Sequence, residues 1–323
     1  MQIFITGVSG FVGGAIARRW KDKHSVFALA RSSESRIKVE AAGVKPIMAD
    51  LQSLTADQLR GMDVVLHAAA RAEDWGTRAE FFAANVEGTQ NLLRAAREAG
   101  VKRFIFVGTE ASFFTGSDMT DIDETTPYPT QHRFLYSETK ALAEKMVLDA
   151  ASENFFTISI RPRFVWGPGD NSVLPTLLAM VQKGQFMWVG GGDYRTDTTY
   201  IDNLTHALDL ALTEGRNGRA YFVSDGQTQN LKQFLSRLAA THNVQLPEKN
   251  IGRGLARALS VVVEGVWNLL RLKTKPPMTK FAIYMLSSHC TVDIARAREE
   301  LGYTPEVSVE VGLERLKQVA VGL

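Results

Sequence analysis

The stretch Thr6-Gly7-Val8-Ser9-Gly10-Phe11-Val12-Gly13 joins the apolar run Ile3-Phe4-Ile5 to a helical pattern over Gly14–Lys21. Glycines at such a place let the backbone turn sharply out of a strand and approach an anion. The free amides at the N-terminus of the following helix then meet its charge. The spacing is Gly-x-x-Gly-x-x-Gly rather than Gly-x-Gly-x-x-Gly. A packing turn could use the same glycines, but the placement between strand and helix at residue 1 onward points to a pyrophosphate. This predicts Thr6, Gly7, Ser9, Gly10, Phe11, Val12 and Gly13 as cofactor-binding residues and a fold that starts with the first residue.

Outward from this turn, short apolar runs alternate with helical patterns. Val26–Ala30, Lys45–Ala49, Asp63–Leu66, Arg103–Val107 and Phe156–Ile160 read as strands, and Phe81–Ala99 and Tyr136–Ala150 as long helices. Such alternation predicts an α/β fold, a Rossmann-type doubly wound parallel sheet whose ligands bind beyond the carboxyl ends of the strands. After Arg161 the pattern loosens around Gly167, Gly169 and Gly190–Gly192. The expectation is a cofactor domain over residues 1–165 with a returning segment near 198–225. Residues 166–197 and 226–323 form a smaller, mostly helical C-terminal substrate lobe.

Composition narrows the function classes. The 323 residues are 45% hydrophobic and 22% charged, and 37 basic against 35 acidic residues leave a net charge of +2. That gives no electrostatic case for nucleic acid. The lone Cys290 cannot form an internal disulfide, so a reducing, cytoplasmic location is expected, with the thiol a small buried residue rather than a nucleophile. Leu255–Leu272 is strongly apolar, but Arg257, Glu264 and Arg271 interrupt it. It reads as an amphipathic or buried helix, with peripheral membrane contact as the lesser option. No metal-ligand spacing stands out.

The residue ending the second strand selects between nicotinamide cofactors. An acidic residue there accepts from the ribose 2′-hydroxyl and repels a 2′-phosphate. Here stand Arg31, Ser32 and Ser33, with Arg36 near, which suits a phosphate dianion and predicts NADP(H) over NAD(H). Asp50 is expected to accept from the adenine amine, with Leu51 beside the ring. Further along, Tyr136-Ser137-Glu138-Thr139-Lys140 sets a phenol and an ammonium one helical turn apart. A free phenol has a pKa of about 10, and a neighbouring ammonium stabilises the phenolate. Thr109, at the end of Arg103–Val107, is the candidate donor to a substrate oxygen, with Ser112 the runner-up.

Taken together, Thr6–Gly13, His67-Ala68-Ala69-Ala70, Asn85 in Asn-Val-Glu-Gly-Thr, Tyr136–Lys140 and Arg161–Asp170 resemble the extended short-chain dehydrogenase/reductase superfamily over essentially the whole chain. The resemblance implies Tyr136 as acid/base, Lys140 as its partner and Thr109 as the hydroxyl member. Asn85 would support the active-site backbone or a relay water, and Ala68, Ala69, Ala70, Pro162 and Val165 would line the cofactor. His67 reads as structural. The family's adjacent serines are replaced by Gly108-Thr109-Glu110, and Phe164 stands where sugar-nucleotide enzymes carry an Asn for the substrate diphosphate. Arg161–Asp170, Trp75-Gly76 and Thr198–Asn203 instead resemble the 3β-hydroxysteroid dehydrogenase-like branch, nearest to bacterial 2-alkyl-3-oxoalkanoate reductases, with sterol-4-carboxylate dehydrogenases next. This implies ketone/alcohol interconversion on an apolar small molecule. Phe113, Phe114, Phe186, Trp188, Trp267 and Met285 are available to line its site or to fill the lobe's own core. A nucleotide-sugar epimerase or dehydratase, and a non-catalytic NADP(H)-binding sensor or assembly factor, are the alternatives. A homodimer through the helices around Asn85 and Tyr136 is implied by resemblance only.

Overall fold

The computed structural model describes residues 1–272 and 274–321; Lys273, Gly322 and Leu323, within the expected lobe, lie outside the described residues. Seven strands form the main sheet: β1 (Gln2–Thr6), β2 (Ser25–Ala30), β3 (Lys45–Met48), β4 (Val64–His67), β5 (Arg103–Val107), β6 (Phe156–Pro162) and β7 (Arg219–Val223). Their order is β7-β6-β5-β4-β1-β2-β3, and every neighbouring pair is parallel. The inner strands read as unbroken apolar runs because helices cover both faces, and β4 is buried along its whole length. The chain runs outward from β1 through β2 and β3, then returns to the other side of β1 at β4. The crevice between the ends of β1 and β4 is thus the switch point where such sheets take ligands.

Helix α1 (Phe11–Trp20) follows the glycine turn, three residues earlier than the sequence pattern suggested, and α2 (Ser33–Ala41) follows β2. The segment expected as one helix over Phe81–Ala99 is three pieces. They are α3 (Arg78–Phe81), a π-helical turn over Phe82–Glu87 and α4 (Gly88–Glu98). A π turn inserts one residue into the helical ladder and re-aims the side chains on it. The buried residue on this turn is Asn85, and its bonds, described below, explain the distortion.

Helix α5 (Leu135–Asp149) carries Tyr136 and Lys140 and is locked to the sheet by a buried polar cluster. Glu144 of α5 accepts from Arg161 Nε of β6 at 2.9 Å, Ser159 Oγ at 2.5 Å and Tyr128 OH at 2.6 Å. Burial alone would raise this carboxyl, but the Arg161 charge and the three donors outweigh it and hold it below its usual value. Gly108 is required here, since a Cβ on it would lie 2.5 Å from Glu144 Oε1 and 2.6 Å from Ser159 Oγ.

The remaining helices include α6 (Val173–Gln182), α7 (Ile201–Leu210), α8 (Leu231–Ala240), α9 (Arg253–Leu269) and α10 (Lys280–Met285). Asp225, just past β7, ties this half to the sheet. It accepts from Trp166 Nε1 at 3.0 Å, Thr198 Oγ1 at 2.7 Å, the Tyr200 amide at 2.6 Å and Asn203 Nδ2 at 2.7 Å. A second apolar core gathers Trp166, Phe186, Trp188, Tyr200 and Phe234. Phe113 and Phe114 are buried in the main core, and Phe186 packs edge-on to Trp188. These four aromatics therefore stabilise the protein's own interior.

Candidate active site

The glycine turn is built for backbone approach. Gly7 sits at φ 83°, and a Cβ there would meet the Ala69 amide nitrogen at 2.7 Å. A Cβ on Gly13 would lie 2.3 Å from the Gly7 carbonyl oxygen. Gly10 is different: the one atom near its missing Cβ is Gly7 O at 3.3 Å, so its outer side is open. Gly10 is also the N-cap of α1 and offers no side-chain cap, so the first-turn amides lack a side-chain acceptor. That is the donor set a pyrophosphate needs, and a nicotinamide dinucleotide fits it. A cavity of about 320 Å³ opens beside the turn, lined by Ser9, Gly10, Phe11, Arg18, Lys38 and Asn171 among others.

The end of β4 is held by buried bonds that also settle the state of His67. Thr89 Oγ1 donates to the Asn85 carbonyl at 2.6 Å, so it accepts from His67 Nε2 at 2.9 Å. The Ala69 amide donates to Thr6 Oγ1 at 3.1 Å, and the Thr6 hydroxyl proton is left for His67 Nδ1 at 2.7 Å. His67 is therefore the neutral Nε2–H tautomer. Burial foremost, with the Lys140 charge behind it, pushes its pKa down to about 3. It clamps β1 to β4 and moves no proton near neutrality. Asn85 works one turn further on: Oδ1 accepts from the Arg71 amide at 2.7 Å, and Nδ2 donates to Arg71 O at 3.2 Å and Thr139 Oγ1 at 3.0 Å. The π turn aims this amide at the irregular segment following Ala68–Ala70 and at α5 together.

On α5, the Tyr136 ring is packed edge-on by Phe281 of α10 at 5.6 Å, within a cluster containing Phe114, Phe134 and Tyr284. Burial and then the Glu110 carboxylate push the Tyr136 phenol up, and its hydrogen bond with Thr109 pulls it partly back. Lys140 faces elsewhere. Its ammonium donates to the Val107 carbonyl at 2.7 Å and lies 4.1 Å over the Phe106 ring. Burial depresses it to about 8, with Glu144 acting in the opposite sense. On balance the Tyr136 phenol is raised, and the Lys140 ammonium, expected from the four-residue spacing to lower it, rests on the Val107 carbonyl of β5.

Thr109 is the hydroxyl member beside Tyr136; Ser112 is fully buried and its Oγ has no hydrogen-bond partner among the described residues. The unusual Glu110 has a definite place. It accepts from Thr109 Oγ1 at 2.8 Å and pairs with Arg163 Nη1 at 2.9 Å, and Arg163 Nη2 donates to Thr196 Oγ1 at 3.1 Å. Glu110 and Arg163 are 3% and 6% exposed, so this is an ion pair inside the protein directly behind the candidate catalytic hydroxyl. Cys290 lies by the same Arg163, and burial raises its thiol to about 12, so it stays protonated.

Other expected residues sit further out. Arg31 is exposed with no side-chain partner among the described residues. Ser32 caps α2, its Oγ accepting from the Ser35 amide at 3.2 Å. Asp50 accepts from the Gln52 amide at 3.0 Å, and Leu51 packs against Gly88. Pro162 and Val165 lie at the end of β6 and on the short strand pairing with Thr199–Tyr200. Phe164 between them has φ 46°, and its ring packs edge-on to Phe234 at 5.7 Å. Three positions escaped the sequence reading. Asn91 Nδ2 holds the Leu51 and Leu54 carbonyls at 2.6 and 3.0 Å; Arg163 pairs Glu110; Phe281 walls Tyr136. Arg163 had a signal in its place two residues after Arg161, whereas Phe281 had none.

Residues 3–224 match the NAD dependent epimerase/dehydratase family, and the chain belongs to it. It is 37% identical over 321 residues to the 4-hydroxy-2-methyl-3-oxo-4-farnesyl-3,4-dihydroquinoline-1-oxide ketoreductase of Stigmatella aurantiaca, covering 98% of this chain and 96% of that one. It is 35% identical over 327 residues to the 2-alkyl-3-oxoalkanoate reductase of Stenotrophomonas maltophilia (strain K279a), covering 98% of both. The solved structure of gox2253 superposes with a TM-score of 0.75 at 26% identity over 98% of each chain. With this fold and these relatives the chain is an NAD(P)-dependent oxidoreductase of the extended short-chain type, of the dehydrogenase/reductase kind that acts on CH–OH groups.

Proposed function

We propose that this protein interconverts an apolar ketone and its secondary alcohol with NADP(H), Tyr136 exchanging the proton on oxygen. The observation that carries the reading is the Tyr136 phenol placed beside the Thr109 hydroxyl and the Glu110 carboxylate, with the ring of Phe281 packed edge-on to it. Bound reduced nicotinamide supplies the hydride. Burial keeps the Tyr136 phenol protonated, which is the form needed to give a proton to a ketone oxygen. Thr109, turning its proton from Glu110 to the substrate, orients that oxygen. Lys140 holds positive charge one turn along α5 and braces the end of β5 through Val107 O. Asn85 keeps the Ala68–Arg71 backbone and α5 in register. Pro162, at the end of β6, and Val165, on the short strand after it, border the cofactor.

Phe164 supports an apolar substrate. A bulky residue at φ 46° is strained by about 1–2 kcal/mol, and Asn accepts that conformation better. The left-handed turn is kept while its residue is an aromatic with no donor for a diphosphate. The two relatives named above act on an alkyl-bearing oxo acid and a farnesylated ring ketone, in line with a lobe over 166–197 and 226–323 that receives apolar groups. For the cofactor, Arg31 is uncommitted at the end of β2, and Arg18 and Lys38 line the cavity beside Ser9, which supports NADP(H). Asp50 and Leu51 flank the adenine end. A pair of copies through α4 and α5 rests on the family resemblance and is tested by sedimentation of the purified protein. A cytoplasmic location is supported by the single, buried Cys290.

The test is consumption of NADPH and NADH with 2-alkyl-3-oxo acids, 3-ketosteroids and UDP-sugars, for the wild type and Tyr136→Phe. Net NADPH oxidation by an apolar ketone, lost by several orders of magnitude in Tyr136→Phe with NADPH binding intact, is the expected result. Conversion of a UDP-sugar without net cofactor consumption, or full activity in Tyr136→Phe, overturns the proposal.

A further inference from the structure

Helix α9 is built inside out. Taking about 100° per residue around the axis, Ala256, Arg257, Ser260, Glu264 and Trp267 share the side turned to the protein. Arg257 and Glu264 are bonded there. Arg257 donates to Ser287 Oγ, Ser287 O and Ser288 Oγ at 3.0, 3.0 and 2.9 Å, and Glu264 accepts from the Lys280 amide and ammonium at 2.5 and 3.0 Å. The opposite side is apolar and open to solvent: Leu255 is 59% exposed, Val262 61%, Leu269 82% and Leu270 61%, with Leu259, Val261 and Val266 between them. From Gly254 to Leu270 no exposed residue is charged. The exposed arc spans about 180°, wider than the narrow seam of a two-helix coiled coil, and a continuous apolar face of this kind marks an interaction site.

We propose that α9 lies on an anionic lipid surface, its apolar half sunk among the acyl chains. Width is one argument, because a bilayer boundary covers half a helix circumference. Charge is the other. Of the basic residues from Gly265 to Val292, which are Arg271, Lys273, Lys275 and Lys280, Lys275 pairs with Asp74 and Lys280 with Glu264, which leaves Arg271 and, two residues on in the sequence, Lys273 as the cations that follow the apolar face. Arg271 is exposed at the end of the helix, with no salt-bridge partner among the described residues. The same face on a second copy offers no carboxylate to Arg271, since no exposed residue from Gly254 to Leu270 is charged, whereas anionic headgroups complement it. No helix among the described residues is long and apolar enough to cross a membrane, so the attachment is peripheral.

The placement has a consequence that rests on the ketone reading. Helix α10 packs on α9 through Ile283 against Ala256, and Phe281 of α10 walls Tyr136. A docked α9 therefore holds the apolar wall of the site one helix diameter, about 10 Å, from the lipid, where an apolar ketone partitions.

Vesicle cosedimentation tests the docking without turnover, so its failure leaves the ketone reading standing. The whole protein is expected to bind vesicles of phosphatidylcholine mixed with phosphatidylglycerol, less to phosphatidylcholine alone, and less at high salt. The double variant Val262→Glu/Leu269→Glu is expected to lose at least about tenfold in vesicle affinity with turnover of a water-soluble ketone unchanged. Absence of binding to the mixed vesicles, or undiminished binding by the variant, overturns the proposal. So does a wild-type self-association that this variant abolishes, which would make α9 a seam between copies.

Discussion

Replacing Glu110 by Gln isolates the charge behind the candidate catalytic hydroxyl while keeping its shape. The Gln carbonyl can still accept from Thr109, but the Arg163 guanidinium, 6% exposed, loses its ion-pair partner at 2.9 Å. Removing one member of a buried pair costs about 3–5 kcal/mol, because the remaining charge is left desolvated. Asp197 also acts on Arg163, though its oxygens are taken by the Val292 amide and Thr228. Thr196 still accepts one guanidinium nitrogen. These remnants favour the lower end, a loss of roughly 3 kcal/mol. Urea denaturation should show this as a lower midpoint with an unchanged slope. Adding Arg163→Met should restore part of the loss, since with both partners neutral the pair leaves no desolvated charge behind. The same change has a catalytic signature. Glu110 pushes the Tyr136 phenol up, so its neutralisation should move the ascending limb of alcohol oxidation, which needs the phenolate, to lower pH. A Glu110→Gln protein with the wild-type midpoint and the wild-type pH profile would refute the reasoning.

Three further outcomes follow from particular distances and charges. Gly13→Ala puts a methyl 2.3 Å from Gly7 O and should cost stability, whereas Gly10→Ala meets only Gly7 O at 3.3 Å and should fold normally yet bind NADPH at least about tenfold more weakly; calorimetry and cofactor titration separate the two, and equal behaviour counts against the turn. Lys140 holds its charge below about 8 and loses it as pH rises through that value, so ketone reduction should decline above about pH 8; a Lys140→Met protein whose residual activity shows the same limb would assign it elsewhere. Arg31→Asp should shift preference from NADPH toward NADH by roughly two orders of magnitude, read from kcat/KM with both cofactors; unchanged selectivity would remove Arg31 from the cofactor site.

Local regularities in the sequence carried the fold: a glycine turn between strand and helix, runs of apolar residues with the length of buried strands, and a Tyr and Lys one turn apart on a helix. Each depends on near neighbours, and near neighbours are what a linear pattern records. Six of the seven strands and the rule that ligands sit beyond their carboxyl ends were legible in this way, whereas the strand order, the seventh strand at Arg219–Val223 and the crevice between β1 and β4 came from the structure. What needed the tertiary structure is everything that depends on partners brought from afar. The committed contact of Lys140 with Val107, the π turn that aims Asn85 at Arg71 and Thr139, and the edge of Phe281 on Tyr136 join residues separated by 33, 14 or more positions. Glu110 looked like a departure from a motif until Arg163, 53 residues on, was seen to neutralise it. The apolar run over 255–272 read equally well as a buried helix. Only the structure decided which half of its circumference faces the protein, because burial is a property of what packs against a helix and not of the helix itself.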